Sequence, residues 1–382
     1  MKTLFKNFLK IFFKIFWLIP VKKNRIVFRS THGTKYNCNP KYISKYLQNN
    51  FRGKFEYVWI FDKDSIENHK YLEQFGIAVV NQKSLKGILY MITAKFLIDN
   101  HGLVSYIPIR KEQIVINTWH GGGSYKKEYS ESSDEHKKYM KMMYDTTNAF
   151  ISSCRKFSIC NLKSIYESDP SKILEIGMPR NDLFWHENEA IKSKVKKELG
   201  ISQDSRIVLY APTFRYNADT EIYMLNPNEI CKACEKRFGG HFVFVTRLHP
   251  FVEKRYIKSG DSNFIISNQY EDMQELLYAT DVLISDYSSC LWDASLSYIP
   301  SFIYAADLEY YSEKRNFHTP IKEWPYPLAE TEDELVENIR KFDENKYKKN
   351  VDSHHKALGS FESGKACEKI AEYILEKFQL SK

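Results

Sequence analysis

The stretch 281-DVLISDYSSCLWDASL-296 decides the fold class. Its first part is an apolar strand ending in Asp286. Two hydroxyls follow, Ser288 and Ser289, and then a helix is expected over 290–297. The same strand–loop–helix unit recurs on both sides. Towards the N-terminus lie "RIVLYAPTFR" (206–215), a helix over 227–238, "HFVFVTRLHP" (241–250), "FIISN" (264–268) and a helix over 271–279. Towards the C-terminus lie "PSFIYAAD" (300–307) and helices over 332–342 and 362–379. Strands alternating with helices predict an α/β layer with a parallel sheet.

A second series precedes "GISQDS" (200–205), which reads as a linker. Its strands are "RIVFRS" (25–30), "EYVWIF" (56–61), "GIAVV" (76–80), "AKFLIDN" (94–100), "QIVINTWH" (113–120), "AFISSC" (149–154) and the start of "ILEIGMPRNDLF" (173–184). Helices are expected over 40–48, 65–74, 84–93 and 187–199. A chain of 382 residues suits two domains. The expectation is therefore two doubly wound Rossmann-like α/β domains, 24–200 and 201–382, with ligands at the carboxyl ends of strands and in the cleft between the domains.

The net charge of +8 does not belong to the folded part as a whole, because six of those charges are the lysines of 1–23, which hold no acid. Nucleic-acid binders spread their basic excess along a folded face, so that class is set aside. "MKTLFKNFLKIFFKIFWLI" (1–19) repeats Lys every fourth residue and fills the other positions with apolar side chains. This predicts a basic amphipathic helix lying on an anionic membrane surface, within a segment taken as 1–23. It is too interrupted by charge to span a bilayer, which needs about 20 mostly apolar residues. It also lacks the unbroken core and cleavage site of a signal peptide. The ordinary alternative is a helix packed on the protein's own core. The seven cysteines include one CxxC, Cys231 and Cys234, inside an expected helix and without a second pair, so they read as structural residues of a reducing compartment.

Candidate site residues cluster at strand ends, where loops on a rigid scaffold carry function. Ser288 and Ser289 before a helix suit a phosphate, or simply cap that helix, with Asp286 behind them and Asp293 one turn on. Arg247 and His249 project from one face of a strand end and suit a pyrophosphate. Thr213 and Arg215 end another strand. Arg180, Asn181 and Asp182 precede a helix, where an N-cap is the plainer reading. His120 ends "IVINTWH", and Gly121–Gly123 let the chain turn sharply and approach a ligand. A neutral imidazole there can take a proton from a hydroxyl. Lys126 and Lys127 read as acceptor or membrane contacts. "GSFESGKA" (359–366) imitates a phosphate loop but lacks the hydroxyl after Lys365 and follows no strand. "DKD" (62–64) reads as a turn.

Taken together, "NPKYISKYL", "TWHG", "GMPRND", "APTFR", "RLHP", "SDYSSCLWD", "PSFIYAADLEYY" and "SFESGKACEKIAEYI" resemble the CDP-glycerol glycerophosphotransferases of bacterial wall teichoic acid synthesis, in order and in spacing. The resemblance implies a glycosyltransferase-B-type fold. It also implies transfer of glycerol phosphate from CDP-glycerol to a hydroxyl of a lipid-linked glycan acceptor, releasing CMP, by a peripheral enzyme on the cytoplasmic face of the membrane. His120 and His249 would be the catalytic residues, with His120 as base. Gly121, Arg180, Asn181, Asp182, Thr213, Arg215, Arg247, Asp286, Ser288, Ser289 and Asp293 would contact donor or substrate. No metal is expected to be obligatory. This loop reads "GGSYKK" where the family commonly has a Thr and then Leu-Lys, a departure that bears on the acceptor. The rival readings are a CDP-ribitol or UDP-sugar donor on the same fold, and a non-catalytic nucleotide-binding scaffold at the membrane.

Overall fold

The structure, a computed structural model, describes residues 8–127, 134–163, 169–213, 215, 220–248 and 264–380. The chain divides into two compact units. The first holds Met1–His120, Ser132–Asp182 and Phe361–Lys382, and the second holds Gly121–Glu131 and Leu183–Ser360.

Each unit is built on one parallel sheet. The first contains β1 (Lys22–Arg29), β2 (Glu56–Phe61), β3 (Ile77–Asn81), β4 (Ala94–Asp99), β5 (Ile114–Asn117), β6 (Ala149–Ser152) and β7 (Ile173–Glu175), in the order β3-β2-β1-β4-β5-β6-β7. The second contains β8 (Arg206–Tyr210), β9 (Phe242–Thr246), β10 (Phe264–Ile266), β11 (Val282–Ser285), β12 (Ser301–Tyr304) and β13 (Leu328–Ala329), in the order β10-β9-β8-β11-β12-β13. Every pairing in both sheets is parallel.

Strand β2 shows why. Val58, Trp59, Ile60 and Phe61 are all fully buried, as in a sheet covered on both faces. Alternate side chains point to opposite faces. Thus Ile26, Phe28, Trp59, Phe61, Phe96 and Ile98 form one core, and Val27, Val58, Ile60 and Leu97 form part of the other.

Strand order sets where ligands bind. In the first sheet the connections diverge between β1 and β4, and in the second between β8 and β11. The carboxyl ends at such a switch point leave a crevice, because the following loops turn to opposite sides.

Three boundaries differ from the sequence reading, and the first is Gly121–Glu131, expected in the first domain, which belongs to the second unit. The helix Glu189–Glu198 belongs to the second unit, where Lys194 pairs with Glu275 at 2.7 Å. The C-terminal helix Ala366–Gln379, expected in the second domain, belongs to the first. Its Ile370, Ala371 and Ile374 share one face at helical spacing and complete the core that contains Phe28 and Trp59.

The N-terminal segment also differs. Residues 1–7 lie outside the described residues, 8–12 are α-helical, and Phe13–Leu18 continue as a 3-10 helix. One stripe docks on the unit's own core: Phe13 is buried, with Leu9 and Phe16 packed beside it. Arg110 closes the turn by donating to the carbonyls of Phe16 and Ile19, both at 2.7 Å. The other stripe, including Ile11, Ile15 and Leu18, stays exposed. Lys22 and Lys23, assigned to this segment from sequence, are already in β1, where Lys22 pairs with Glu56 at 2.8 Å. No helix among the described residues is long and apolar enough to cross a membrane.

Candidate active site

The switch point of the first sheet is lined by the loops after β1, β4 and β5. At its base, buried Arg29 donates to buried Asp99 at 3.0 Å and to the Gly102 carbonyl at 3.1 Å, tying β1 to the loop after β4. Asn100 is the hub above them. Its Oδ1 accepts from the Thr31 backbone at 2.9 Å and faces His101 Nδ1 at 2.8 Å. Its carbonyl oxygen lies 2.9 Å from His120 Nδ1. A carbonyl only accepts, so Nδ1 of His120 carries the hydrogen, and the neutral ring has its lone pair on Nε2.

Three further contacts set the position of His120. Asn117 Oδ1 accepts from Trp119 N at 2.9 Å, which turns the chain as β5 ends. The buried amide of Asn39 donates to the carbonyls of Thr118 and Trp119 at 2.9 and 3.1 Å. Trp119 itself is held at φ 54°. Thr31 and His32 across the crevice also have positive φ, at 47° and 57°. Such conformations cost on the order of 1–3 kcal/mol each and persist where surrounding structure enforces them, often at functional sites.

Three histidines meet here. His101 and His120 stack with ring centroids 4.0 Å apart and an interplanar angle of 3°, and His32 meets His101 at 4.5 Å. Burial, followed by the proximity of His120, His32 and Arg29, pushes His101 down to about 2, so it is neutral at any working pH. Burial likewise lowers His32. The sequence reading stopped at Asn100 and missed His101. Its signal was the polar "DNHG" closing an apolar strand.

Two of the glycines after His120 lie against side chains of the second unit. A Cβ on Gly122 would stand 2.4 Å from Trp292 Cδ1, and one on Gly123 (φ 74°) 3.0 Å from Trp292 Cε3. What approaches these two backbones closely is the indole of Trp292, joined at Gly123 by the Tyr125 ring, whose Cζ would stand 2.9 Å from that Cβ. Tyr125 then anchors the segment, stacked on Trp324 at 4.0 Å, with its hydroxyl 3.1 Å from both Tyr326 Oη and His354 Nε2. Gly121 is half-buried.

In the second sheet the switch point lies between β8 and β11. Asp286, buried at the end of β11, accepts from Thr213 N at 2.8 and 2.9 Å and from Arg215 Nη1 at 2.8 Å. Arg215 also meets Asp307, with Nη2 at 2.8 Å and Nε at 2.6 Å, and lies among the rings of Tyr223, Tyr287 and Tyr311. Burial opposes its charge, but the two carboxylates outweigh burial and raise its pKa. Arg215 and Asp286 thus knit the two loops together. The Thr213 hydroxyl is buried without a hydrogen-bond partner among the described residues.

Arg247 donates to the carbonyl of Tyr270 at 2.8 Å and makes no ion pair among the described residues. Burial lowers its pKa, against the opposing pull of Asp272, Cys290 and Glu271. His249 lies outside the described residues. Ser288 Oγ accepts from Cys290 N at 3.3 Å and caps the helix Cys290–Ser295, whereas Ser289 makes no side-chain cap. Asp293 is buried and accepts from Gln274 Nε2 at 3.0 Å. Lys126 feels Arg315, Asp286, Cys290 and Arg215, and burial brings it down to about 8. Its backbone forms an isolated antiparallel bridge with Phe317. Lys127 is exposed, and its carbonyl accepts from Arg315 Nε at 2.6 Å.

"GMPRND" proves to be a docking element of the first unit. Asp182 caps the distant C-terminal helix, accepting from Ala366 N at 2.9 Å and Cys367 N at 2.7 Å. Asn181 donates to Glu362 at 3.0 Å, and buried Arg180 reaches Cys38 Sγ at 3.3 Å. Gly359 ends a helix in the left-handed conformation, so "GSFESGKA" is a helix connection and no phosphate loop. In the CxxC, burial pushes Cys231 up to about 12 and raises Cys234 as well, leaving two inert thiols.

A family model described as CDP-glycerol:poly(glycerophosphate) glycerophosphotransferase matches residues 11–376. The chain belongs to this family. A teichoic acid poly(glycerol phosphate) polymerase of Bacillus spizizenii is 27% identical over 394 residues, covering 98% of each chain. A teichoic acid glycerol-phosphate transferase of Staphylococcus aureus is 27% identical over 399 residues, again covering 98% of each. Among solved structures, the wall teichoic acid polymerase TagF superposes with a TM-score of 0.84 at 24% identity, covering 98% of this chain and 94% of that one. The glycerophosphotransferase thus shares TagF's fold, and the family assignment makes it an enzyme.

Proposed function

We propose that this glycerophosphotransferase moves glycerol phosphate from CDP-glycerol to a hydroxyl of a lipid-linked acceptor, with His120 as general base. The observation that carries the reading is the pinning of His120 Nδ1 by the Asn100 carbonyl at the switch point, which puts the basic lone pair on Nε2. The acceptor oxygen attacks the donor's β-phosphorus in line and its proton passes to Nε2. The bond from that phosphorus to the bridging oxygen breaks, and CMP leaves. Phosphoryl chemistry of this kind is mainly positioning and electrostatics.

Charge on the leaving CMP falls to the second unit in this reading. Arg247, with no acid partner among the described residues, and His249 engage the pyrophosphate, together with Ser288 and Ser289. Thr213 Oγ1 is a donor awaiting a partner. Arg215 and Asp286 act indirectly by fixing the loops. These groups supply the charge a metal would otherwise bring, so turnover is expected to survive EDTA. The two doubly wound units are taken as a glycosyltransferase-B-type pair.

The exposed apolar stripe from Phe8 to Ile19, with Lys10 and Lys14 on the same segment, suits a bilayer surface. We place the enzyme as a peripheral protein on the cytoplasmic face, where a lipid-linked acceptor is within reach. The test is release of CMP from CDP-glycerol with a lipid-linked disaccharide acceptor, with CDP-ribitol in parallel. His120→Ala is expected to lose about 10³-fold in kcat. Full activity in that variant, or turnover of CDP-ribitol alone, would overturn the assignment.

A further inference from the structure

We propose that His101 is the positioning residue of the base: its neutral imidazole, stacked flat on His120, fixes the plane of that ring and faces the imidazolium formed when His120 takes the acceptor proton. The inference rests on the reading of His120 as base and adds a second residue to that machinery.

The geometry is specific. The two rings lie parallel within 3° at 4.0 Å. One residue orders both, since the Asn100 carbonyl meets Nδ1 of His120 and the Asn100 side-chain oxygen meets Nδ1 of His101. Thr31 N donates to that same side-chain oxygen, which settles the direction of the amide. Both rings therefore carry hydrogen on Nδ1 and a lone pair on Nε2. His101 N donates in turn to Asp99, which Arg29 holds in place, so the second ring is anchored in the sheet.

The chemistry follows from which ring can hold a proton. His101 is too buried, and too close to Arg29 and two other histidines, to become charged. A proton arriving at His120 therefore stays on His120 until solvent or product removes it. In the meantime the π-face of a neutral imidazole lies against the new cation, a favourable arrangement for an aromatic ring and a positive charge. A charged neighbour there would repel the imidazolium and slow the transfer.

A double-mutant cycle on the full chain tests this, reading CMP release from CDP-glycerol with lipid-linked acceptor, with melting curves for each variant. H101A is expected to lose on the order of 100-fold in kcat through misplacement of the base. KM for CDP-glycerol should change by less than about threefold, the pattern of an interaction made in the transition state. H101F keeps a flat ring and should recover most of the loss, and it also serves if H101A folds poorly. H101A in the H120A background should add no further loss, since the two act as one unit. Wild-type activity in H101A and H101F, or losses that multiply in the double variant, would overturn the role of His101. Wild-type activity in H120A would instead remove the underlying base assignment.

Discussion

At the scale of single residues, the two switch points are built differently. Around His120 the Asn100 carbonyl fixes the hydrogen on Nδ1, while around Arg215 charge is closed on itself. Truncating Arg215 would leave Asp286 and Asp307 buried without their cation, a change that costs on the order of 3–5 kcal/mol. Arg215→Ala is therefore expected to unfold at much lower denaturant, and a midpoint unchanged in urea would contradict the scaffold role. Gly122→Ala drives a methyl into Trp292 and should cost about 1–3 kcal/mol in the same assay. Lys126 gives a pH dependence. Its folded value, about 8, lies below the ordinary lysine value, so the unfolded chain holds the proton more tightly. That opposes folding at pH 7, and the penalty is relieved as pH rises from about 8 towards the usual lysine range. Lys126→Met should accordingly raise the melting temperature at pH 7 and gain less at pH 10.

At the scale of elements, the strands were legible because each is an apolar run bounded by polar residues. The reading placed β2 and the helix Pro227–Phe238 to the residue. What it missed has physical reasons. Helix Glu344–Leu358 hides in a polar stretch, although Tyr347, Val351, His354 and Leu358 keep a buried stripe. The role of Asp182 was invisible because its partners, Ala366 and Cys367, are far away in sequence. The glycine run was read against an expected ligand, whereas Trp292, which fills that space, is also remote in the chain. His120 was legible as a strand-end histidine, but its orientation depends on Asn39 and on the adjacent pair Asn100 and His101, which come from two other segments. Asp182→Ala removes a cap from the C-terminal helix and is expected to cost about 1 kcal/mol, seen as a lower melting temperature. At the N-terminus, Ile11, Ile15 and Leu18 are exposed while Phe13 is buried. Changing those three to Ser should abolish binding to anionic vesicles and leave the melting temperature within a degree or two. Phe13→Ala should do the reverse, costing about 3 kcal/mol of core packing.

At the scale of the whole molecule, two parallel sheets each present one switch point, and the chemistry-bearing residues gather there. The first unit supplies a histidine held in one tautomer, and the second supplies cations and hydroxyls. In the reading proposed above, the reaction draws on a base for an acceptor hydroxyl and on positive groups for a departing nucleotide. The measurement that tests this most directly is the single-turnover rate of CMP release by His120→Ala, with saturating CDP-glycerol and lipid-linked acceptor. A rate about 10³-fold below wild type, with donor affinity unchanged, is the expected result. A wild-type rate in a correctly folded His120→Ala protein would contradict the account.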